Sequence, residues 1–334
     1  MKILAFINKD SGAAYHRITM PLLTMPEADI YVTNNLLEEQ FEDVDIFMYN
    51  RVLPEDRMPK IKELQAKHGF KIVVDIDDYW ELDPHHILYR AYQKEGFAEQ
   101  QIKHLREADA ILCTHDRLWQ LIEPINPNVF VLPNAIPHTG QYDIERTQSK
   151  YTRLFWQGSD THRQDVQLLT VPVESLGGVS KSIQMIMSGY AENNKEWYEM
   201  VKAYTANFKA QYKLIPYTPV SKYYDAYAQA DICLIPLVNS PFNRCKSNLK
   251  VLEAANLGLP CVVSNVDPYM DLPVLYCKSS GDWVTSISML LKSKNYQFDC
   301  GARLAEFCQK HYHFETINTE RKQILEHITK KEKV

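Results

Sequence analysis

The sequence predicts two doubly wound α/β domains in tandem, facing each other across a cleft. Three observations carry this expectation. At 334 residues the chain exceeds one ordinary core and suits two domains of roughly 150 residues each. Short apolar runs bounded by turn residues recur along it, each the length of a strand buried on both faces. Helical patterns lie between these runs, and such βαβα alternation implies parallel sheets covered by helices on both sides.

In the first half, strands are expected at 2–8, 28–33, 44–50, 71–76, 108–114 and 128–133, and helices at 14–25, 56–68, 90–107 and 116–123. The polar segment 138–153 lacks regular periodicity and reads as a linker. The pattern then restarts. Strands are expected at 153–159, 182–189, 212–217, 231–237, 260–265 and 274–277. Helices are expected at 162–172, 194–207, 220–229, 247–257, 280–292 and 299–311, with a last one from Thr316 into the basic tail KKEKV. The resulting division is 1–140, 141–312, and a C-terminal helix and tail at 313–334.

Composition narrows the functional classes. With 45% apolar and 24% charged residues the chain reads as a soluble globular protein, and no apolar run approaches the roughly 20 residues that span a bilayer. The opening MKILAFINKDSG reads as a first strand rather than a secretory signal, because Lys9 and Asp10 follow the short apolar run at once. The seven cysteines are scattered without a CxxC pair, which supports neither a zinc site nor a disulfide framework and suits a reducing cytoplasm. Net charge is −5, divided as −8 over residues 1–150 and +3 over the remainder. That is no general nucleic-acid footprint, although Lys60, Lys62, Lys67, His68 and Lys71 form a local basic patch.

The stretch NRCKSNLKVLEAANLGLPCVVSNVDPY (243–269) is the most informative. It reads as a polar loop, a helix with Ser247 as N-cap, a stop at Gly258, and a buried strand. Arg244, Lys246 and Lys250 place positive charge beside free amides at a helix start, which suits a diphosphate. Glu253, three residues beyond Lys250 on roughly the same face, suits ribose hydroxyls. The same residues also fit a solvated amphipathic helix with a Lys250–Glu253 ion pair. No GxGxxG follows any strand, so a dinucleotide enzyme is poorly supported.

Two further constellations lie in the first half. In SGAAYHRITMPL (11–22), Gly12 permits close backbone approach, and His16 and Arg17 open a helix at a strand's carboxyl end; a plain turn is the alternative. In VVDIDDYWELDPHH (73–86), Asp75, Asp77 and Asp78 end a strong strand, followed by Tyr79 and Trp80 and then His85 and His86. A carboxylate there suits a base and the aromatics suit stacking on a sugar or nucleobase. Capping aspartates in a structural turn, or a metal-binding DxD, are the other readings.

Together these strings resemble the C-terminal half of a GT-B glycosyltransferase, close to glycosyltransferase family 4. That family carries two glutamates eight positions apart on this loop and helix. Glu253 matches the second, the ribose binder, and Cys245 stands where the first would hold donor-sugar hydroxyls. GLPCVVS matches the strand entry, and VSKYYDAYAQADICLIPL matches the helix and strand before the site. WQGSDTHRQD (156–165) resembles a Gly-Ser-x-x-His-x-x-Asp turn, and VLPNAIP (131–137) the segment closing the first domain.

The resemblance implies two Rossmann-like domains and transfer from a nucleoside-diphosphate sugar, most simply a UDP-sugar, with retention and without metal. It assigns the diphosphate to Gly158, Ser159 and the amides of Asn248 and Leu249, and the nucleobase to Ile215 and Tyr217. His162 and Arg163 would face the cleft. Lys250 and Arg163 would stabilise the leaving charge with Lys246 or Arg244 assisting, and His162 and Asp78 are further catalytic candidates. Gly12, His16, Arg17, Asp77, Tyr79 and Trp80 would line the acceptor side. The strings "DiDDyW" and "YHRi-x-x-P" are similar to phage glycosyltransferases, which implies a hydroxymethylated pyrimidine in DNA as acceptor, within a host cytoplasm. A cell-surface or soluble glycan is the alternative acceptor. A nucleotide-sugar epimerase and a non-catalytic nucleotide-sugar binder are readings from other classes.

Overall fold

The computed structural model describes residues 1–8, 11–54, 57–176, 182–204 and 211–330. The tail at 331–334 and the end of the helix expected at 194–207 lie outside the described residues. All twelve expected strands form: β1 Lys2–Phe6, β2 Asp29–Thr33, β3 Ile46–Asn50, β4 Lys71–Ile76, β5 Ala110–Cys113, β6 Val129–Val131, β7 Thr152–Gln157, β8 Ile183–Tyr190, β9 Gln211–Pro216, β10 Ile232–Ile235, β11 Cys261–Ser264 and β12 Leu275–Cys277.

They make two parallel sheets, ordered β2-β1-β3-β4-β5-β6 and β12-β11-β10-β7-β8-β9. The winding reverses between β1 and β3 in the first sheet and between β7 and β10 in the second. At such points the loops leave in opposite directions and open a crevice at the strands' carboxyl ends. Alternate residues of each strand serve different cores, as the two-residue period requires. Ile3 and Ala5 join a cluster that also holds Phe155, Cys233 and Val263 of the second sheet, whereas Leu4 and Phe6 face a separate cluster on the other side. The halves therefore share an apolar seam.

The helices depart from expectation where backbone chemistry overrides periodicity. The helix expected at 90–107 divides into Tyr89–Glu95 and Phe97–Glu107, because Gly96 takes φ +60°, a left-handed stop that glycine adopts readily. The helix expected at 162–172 divides into Arg163–Gln167 and Thr170–Ser175; Pro172 has no N–H to continue the first segment. The segment expected at 14–25 contains a π-helical turn, Tyr15–Thr19, carrying His16 and Arg17. The segment at 220–229 is a 3₁₀ helix, Tyr223–Gln229.

The last helix, Phe314–Lys330, crosses back onto the first half. Asn318 Nδ2 donates to the Pro21 carbonyl at 2.9 Å, and Lys322 pairs with Glu27 at 2.9 Å. Among the described residues, no helix is long and apolar enough to cross a membrane.

Candidate active site

Strand β7 ends in the turn that carries the first candidates. A Cβ at Gly158 would stand 2.7 Å from Trp156 Cζ2 and 3.1 Å from His162 Cδ2, so glycine is what lets the two rings lie against this turn. Three residues after His162, Asp165 accepts from its Nδ1 at 2.7 Å. The other carboxylate oxygen of Asp165 accepts from the Val238 amide at 2.7 Å and Asn243 Nδ2 at 3.0 Å, in the loop after β10. Burial, reinforced by Lys250, lowers the His162 pKa to about 4, so the ring is neutral. With Nδ1–H donated to Asp165, Nε2 offers its lone pair to Lys250 Nζ at 3.4 Å. The Lys250 ammonium also lies 5.6 Å from the centre of the Trp156 ring. Burial and the neighbouring Lys246 bring its pKa down to about 8. Asp165 was not among the expected site residues; its i,i+3 spacing from His162 was the available signal.

The helix behind this turn is Leu249–Asn256, and its N-cap is Asn248 rather than Ser247. Ser247 Oγ instead accepts from Asn134 Nδ2 of the first half at 2.9 Å. Among the described residues, no backbone hydrogen bond uses the amides of Asn248, Leu249 or Lys250. Those are the donors that a helix start leaves over. One turn further in, Glu253 is only 3% exposed. Its Oε1 accepts from Tyr223 OH and its Oε2 from Tyr227 OH, the latter at 2.6 Å. Burial pushes the carboxyl up to about 7. The Lys250–Glu253 ion pair does not form among the described residues; the two side chains serve different partners.

His16, expected on the acceptor side, meets this carboxylate from the first half. Its Nε2 is 2.8 Å from Tyr223 OH and 3.8 Å from Glu253 Oε1. Burial, with Arg17 adjacent, drives its pKa down to about 3. Tyr223 and Tyr227 lie in VSKYYDAYAQADICLIPL, about 30 residues before Glu253, and only the fold brings them to it. Ile215 is half-buried, and Tyr217 is exposed with its amide bonded to the Tyr190 carbonyl at 2.8 Å. Ser159 is exposed, its hydroxyl 2.7 Å from that of Thr161.

Several expectations are corrected by partners already in place. Arg17 is fully buried; it grips Asp75 with Nε and Nη2 at 2.8 and 2.9 Å and donates to the Leu132 carbonyl and Asn134 Oδ1. It holds the first half together and does not reach an acceptor. Asp77 accepts from Arg51 at 2.8 and 2.9 Å and from Asn50 at 3.1 Å. Both carboxylates of the DxD spacing are thus bound to guanidinium groups. Asp78 accepts from Arg51 at 2.8 Å and lies 3.4 Å from Lys246 Nζ, a contact between the halves. Trp80 is 5% exposed and packs in the core, so it offers no stacking face; Tyr79 lies half-buried against it. Arg163 turns to Glu196 at 2.8 Å and Arg244 to Asn239 at 2.8 Å. Gly12 is exposed with open space beside it.

A cavity of about 270 Å³ lies between the halves, lined by Asp83, His85 and His86 from one and His162, Asp165 and Lys246 from the other. A larger one, about 600 Å³, sits at the ends of β10 to β12 beside Asn239, Lys278 and Trp283 and touches none of the expected site residues. His162, Asp165 and Lys246 line the smaller one, whereas Ser247 and Asn248 of the helix start line a third, of about 470 Å³, with His115 and Arg117.

No family model matches the sequence, and no curated protein matches it. Solved structures do. Sucrose-phosphate synthase from Thermosynechococcus elongatus superposes with a TM-score of 0.67 at 12% identity, over 98% of each chain. Anabaena HepE, in a complex with UDP and glucose, gives a TM-score of 0.68 at 11% identity, over 98% of this chain and 100% of its own. TarM gives a TM-score of 0.62 at 12% identity over 84% of this chain, which spans only 54% of TarM's length.

The fold is GT-B.

Within this GT-B frame, the carboxyl ends of β4 and β5 face those of β7 and β10. The contacts across the gap are specific. Besides Asn134–Ser247 and Asp78–Lys246, His115 Nε2 donates to the Cys245 carbonyl at 2.9 Å, and Gln164 Nε2 donates to the His85 carbonyl at 3.0 Å. Cys245 itself is buried, and burial pushes its thiol up to about 11. Its side chain is packing, whereas its backbone joins the halves.

Proposed function

We propose that this chain is a glycosyltransferase that moves a sugar from a nucleoside-diphosphate sugar, a UDP-sugar, to a hydroxyl of a glycan or smaller sugar. The observation that carries this is the Lys250 ammonium: among the described residues it forms no ion pair and meets the neutral His162 ring and the Trp156 face, beside helix-start amides that no backbone hydrogen bond uses. Fixed cations and amides aimed at developing negative charge stabilise a departing diphosphate without reorganising. Fold neighbours support the donor class, since HepE was solved with UDP and glucose and an E. coli protein with UDP-2-fluoro glucose.

In this reading Lys250 and the Asn248 and Leu249 amides hold the diphosphate, and Gly158 and Ser159 admit it. Ile215 and Tyr217 border the base. Lys246 exchanges Asp78 for a phosphate oxygen. Glu253, held by Tyr223 and Tyr227, accepts the ribose hydroxyls on its remaining lone pairs. His162, kept neutral and oriented by Asp165, steadies Lys250. The division at 140 and 312 assigns acceptor binding to the first half.

A carbohydrate acceptor is preferred to hydroxymethylated DNA. Of the two rings on which a flipped base would stack, Trp80 is buried and Tyr79 lies half-buried against it. Part of the basic patch is already paired: Lys60 and Lys67 share Glu38, and Lys71 lies 4.0 Å from Asp109. The test is UDP release from UDP-glucose with soluble glycans, with hydroxymethylated DNA and with neither. Glycan-dependent release is expected. Release dependent on the DNA alone would overturn the acceptor, and epimerised donor without acceptor would overturn transfer.

A further inference from the structure

Where the C-terminal helix crosses the first half, three polar atoms have no part in the roles above. His16, Asn318 and Arg321 are 3%, 5% and 2% exposed. Among the described residues, His16 Nδ1, Asn318 Oδ1 and Arg321 Nε lack hydrogen-bond partners. All three residues line one small cavity of about 10 Å³, whose apolar walls include Ala135 and Phe314. Buried polar groups are almost always bonded, so this coincidence calls for a shared partner.

The surrounding bonds determine what that partner must be. Asn318 Nδ2 donates to the Pro21 carbonyl, which leaves Oδ1 as an acceptor. Arg321 Nε only donates. With Glu253 ionised, Tyr223 OH donates to it and so accepts from His16 Nε2. A neutral imidazole protonated on Nε2 presents a lone pair at Nδ1. The cavity thus offers two acceptors and one donor. A water molecule supplies two hydrogens and a lone pair, and a volume of 10 Å³ is about the least that holds one. The extra guanidinium beside the Arg17–Asp75 pair would favour an anion. Two lone pairs and the small volume exclude it.

We propose that this cavity binds one water molecule, which donates to His16 Nδ1 and Asn318 Oδ1 and accepts from Arg321 Nε, and so makes His16 the positioning residue for Glu253. The water holds the Nε2–H tautomer, that N–H holds Tyr223, and Tyr223 holds the carboxylate. The chain of bonds joins the C-terminal helix, the first half and the second half. Its last link rests on the donor role proposed for Glu253, whereas the water site does not.

The experiment uses the full chain with ¹⁵N-labelled histidine, above pH 7 so that Glu253 is ionised, with the His16 signal assigned by the His16→Gln variant. An Nε2–H tautomer with an acceptor-bonded Nδ1 is expected. Ala135→Val, which fills the cavity, is expected to remove one long-lived water from the oxygen-17 relaxation dispersion, to mix the tautomers, and to raise KM for UDP-glucose severalfold with kcat little changed. An Nδ1–H tautomer in the unaltered chain, or an unchanged count of long-lived waters, overturns the proposal. If Ala135→Val does not fold, a crystal structure of the unaltered chain decides. Density for one water within bonding reach of the three atoms supports the site; a chloride there, or the three groups paired with one another, overturns it. If the water and tautomer are found but the chain binds no UDP-glucose, the site stands and the donor reading falls.

Discussion

The two sheets meet at the cleft with similar residue types and use them in opposite ways. At the first sheet's edge, Arg17, Arg51, Asp75, Asp77 and Asp78 pair with one another at 2.8–2.9 Å. At the second sheet's edge, Lys250 meets the neutral ring of His162, and among the described residues no backbone hydrogen bond uses the helix-start amides beside it. The first edge is a structural clamp; the second has charge to offer. A charged residue at a strand end points most strongly to a ligand where its nearest counter-charge is missing from the protein itself. Arg163, on the second edge but paired with Glu196, belongs with the clamp by that criterion.

The sharpest way to break this comparison is Arg17→Ala. It strands Asp75 in the core with Arg321 no nearer than 4.0 Å, and removing one partner of a buried pair costs about 3–5 kcal/mol. Urea unfolding measures it, and a loss under about 1 kcal/mol would deny the first edge its structural role.

Lys250→Ala should show the opposite profile. Losing a charge-assisted bond to the diphosphate costs about 1.5–3 kcal/mol, roughly one to two orders of magnitude in donor affinity by calorimetry. Unfolding free energy should not fall, because burial depresses the Lys250 pKa and removing the ammonium relieves the folded state at neutral pH. Retained donor affinity would remove Lys250 from the site.

The pH dependence sharpens the same contrast with a smaller effect. Only the ammonium attracts the diphosphate, so UDP affinity should decline as pH rises past the Lys250 pKa of about 8. Stability moves the other way. A lysine pKa depressed from 10.5 means that the unfolded chain binds more protons, so stability rises with pH between about 8 and 10.5. An affinity curve still stepping near pH 8 in Lys250→Ala would assign the step elsewhere.

The smallest effect is expected where the edges touch. The Lys246–Asp78 contact is partly exposed, at 3.4 Å, and a double-mutant cycle on stability should give a coupling of about 1 kcal/mol or less. A coupling well above that would make this contact a clamp spanning both halves.

Legibility in the sequence follows the range of the forces involved. A strand buried on both faces must be apolar along its length, so β4 and β11 were visible as KIVVDI and PCVVS. Lys250 and the helix start beside it were visible because charge and orphan amides lie within a few residues of each other. The misread site residues concern distant partners. Arg17 looks the same before a phosphate as before Asp75, 58 residues away. Trp80 beside three aspartates resembles a surface aromatic until the sheet folds over it.

Alone, the sequence determined the twelve strands, their parallel winding in two sets, and the cationic helix start, because periodicity, turn residues and local charge act over a few positions. Tertiary structure decided which of those charges remain available. It brought His16 to Tyr223 across 207 residues and thereby placed a first-half imidazole beside Glu253. It also matched Asp75 and Asp77 with guanidinium groups. The reason is that desolvation and pairing are properties of neighbours in space: burial drives His16 neutral and raises Glu253, and no spacing along the chain encodes either environment.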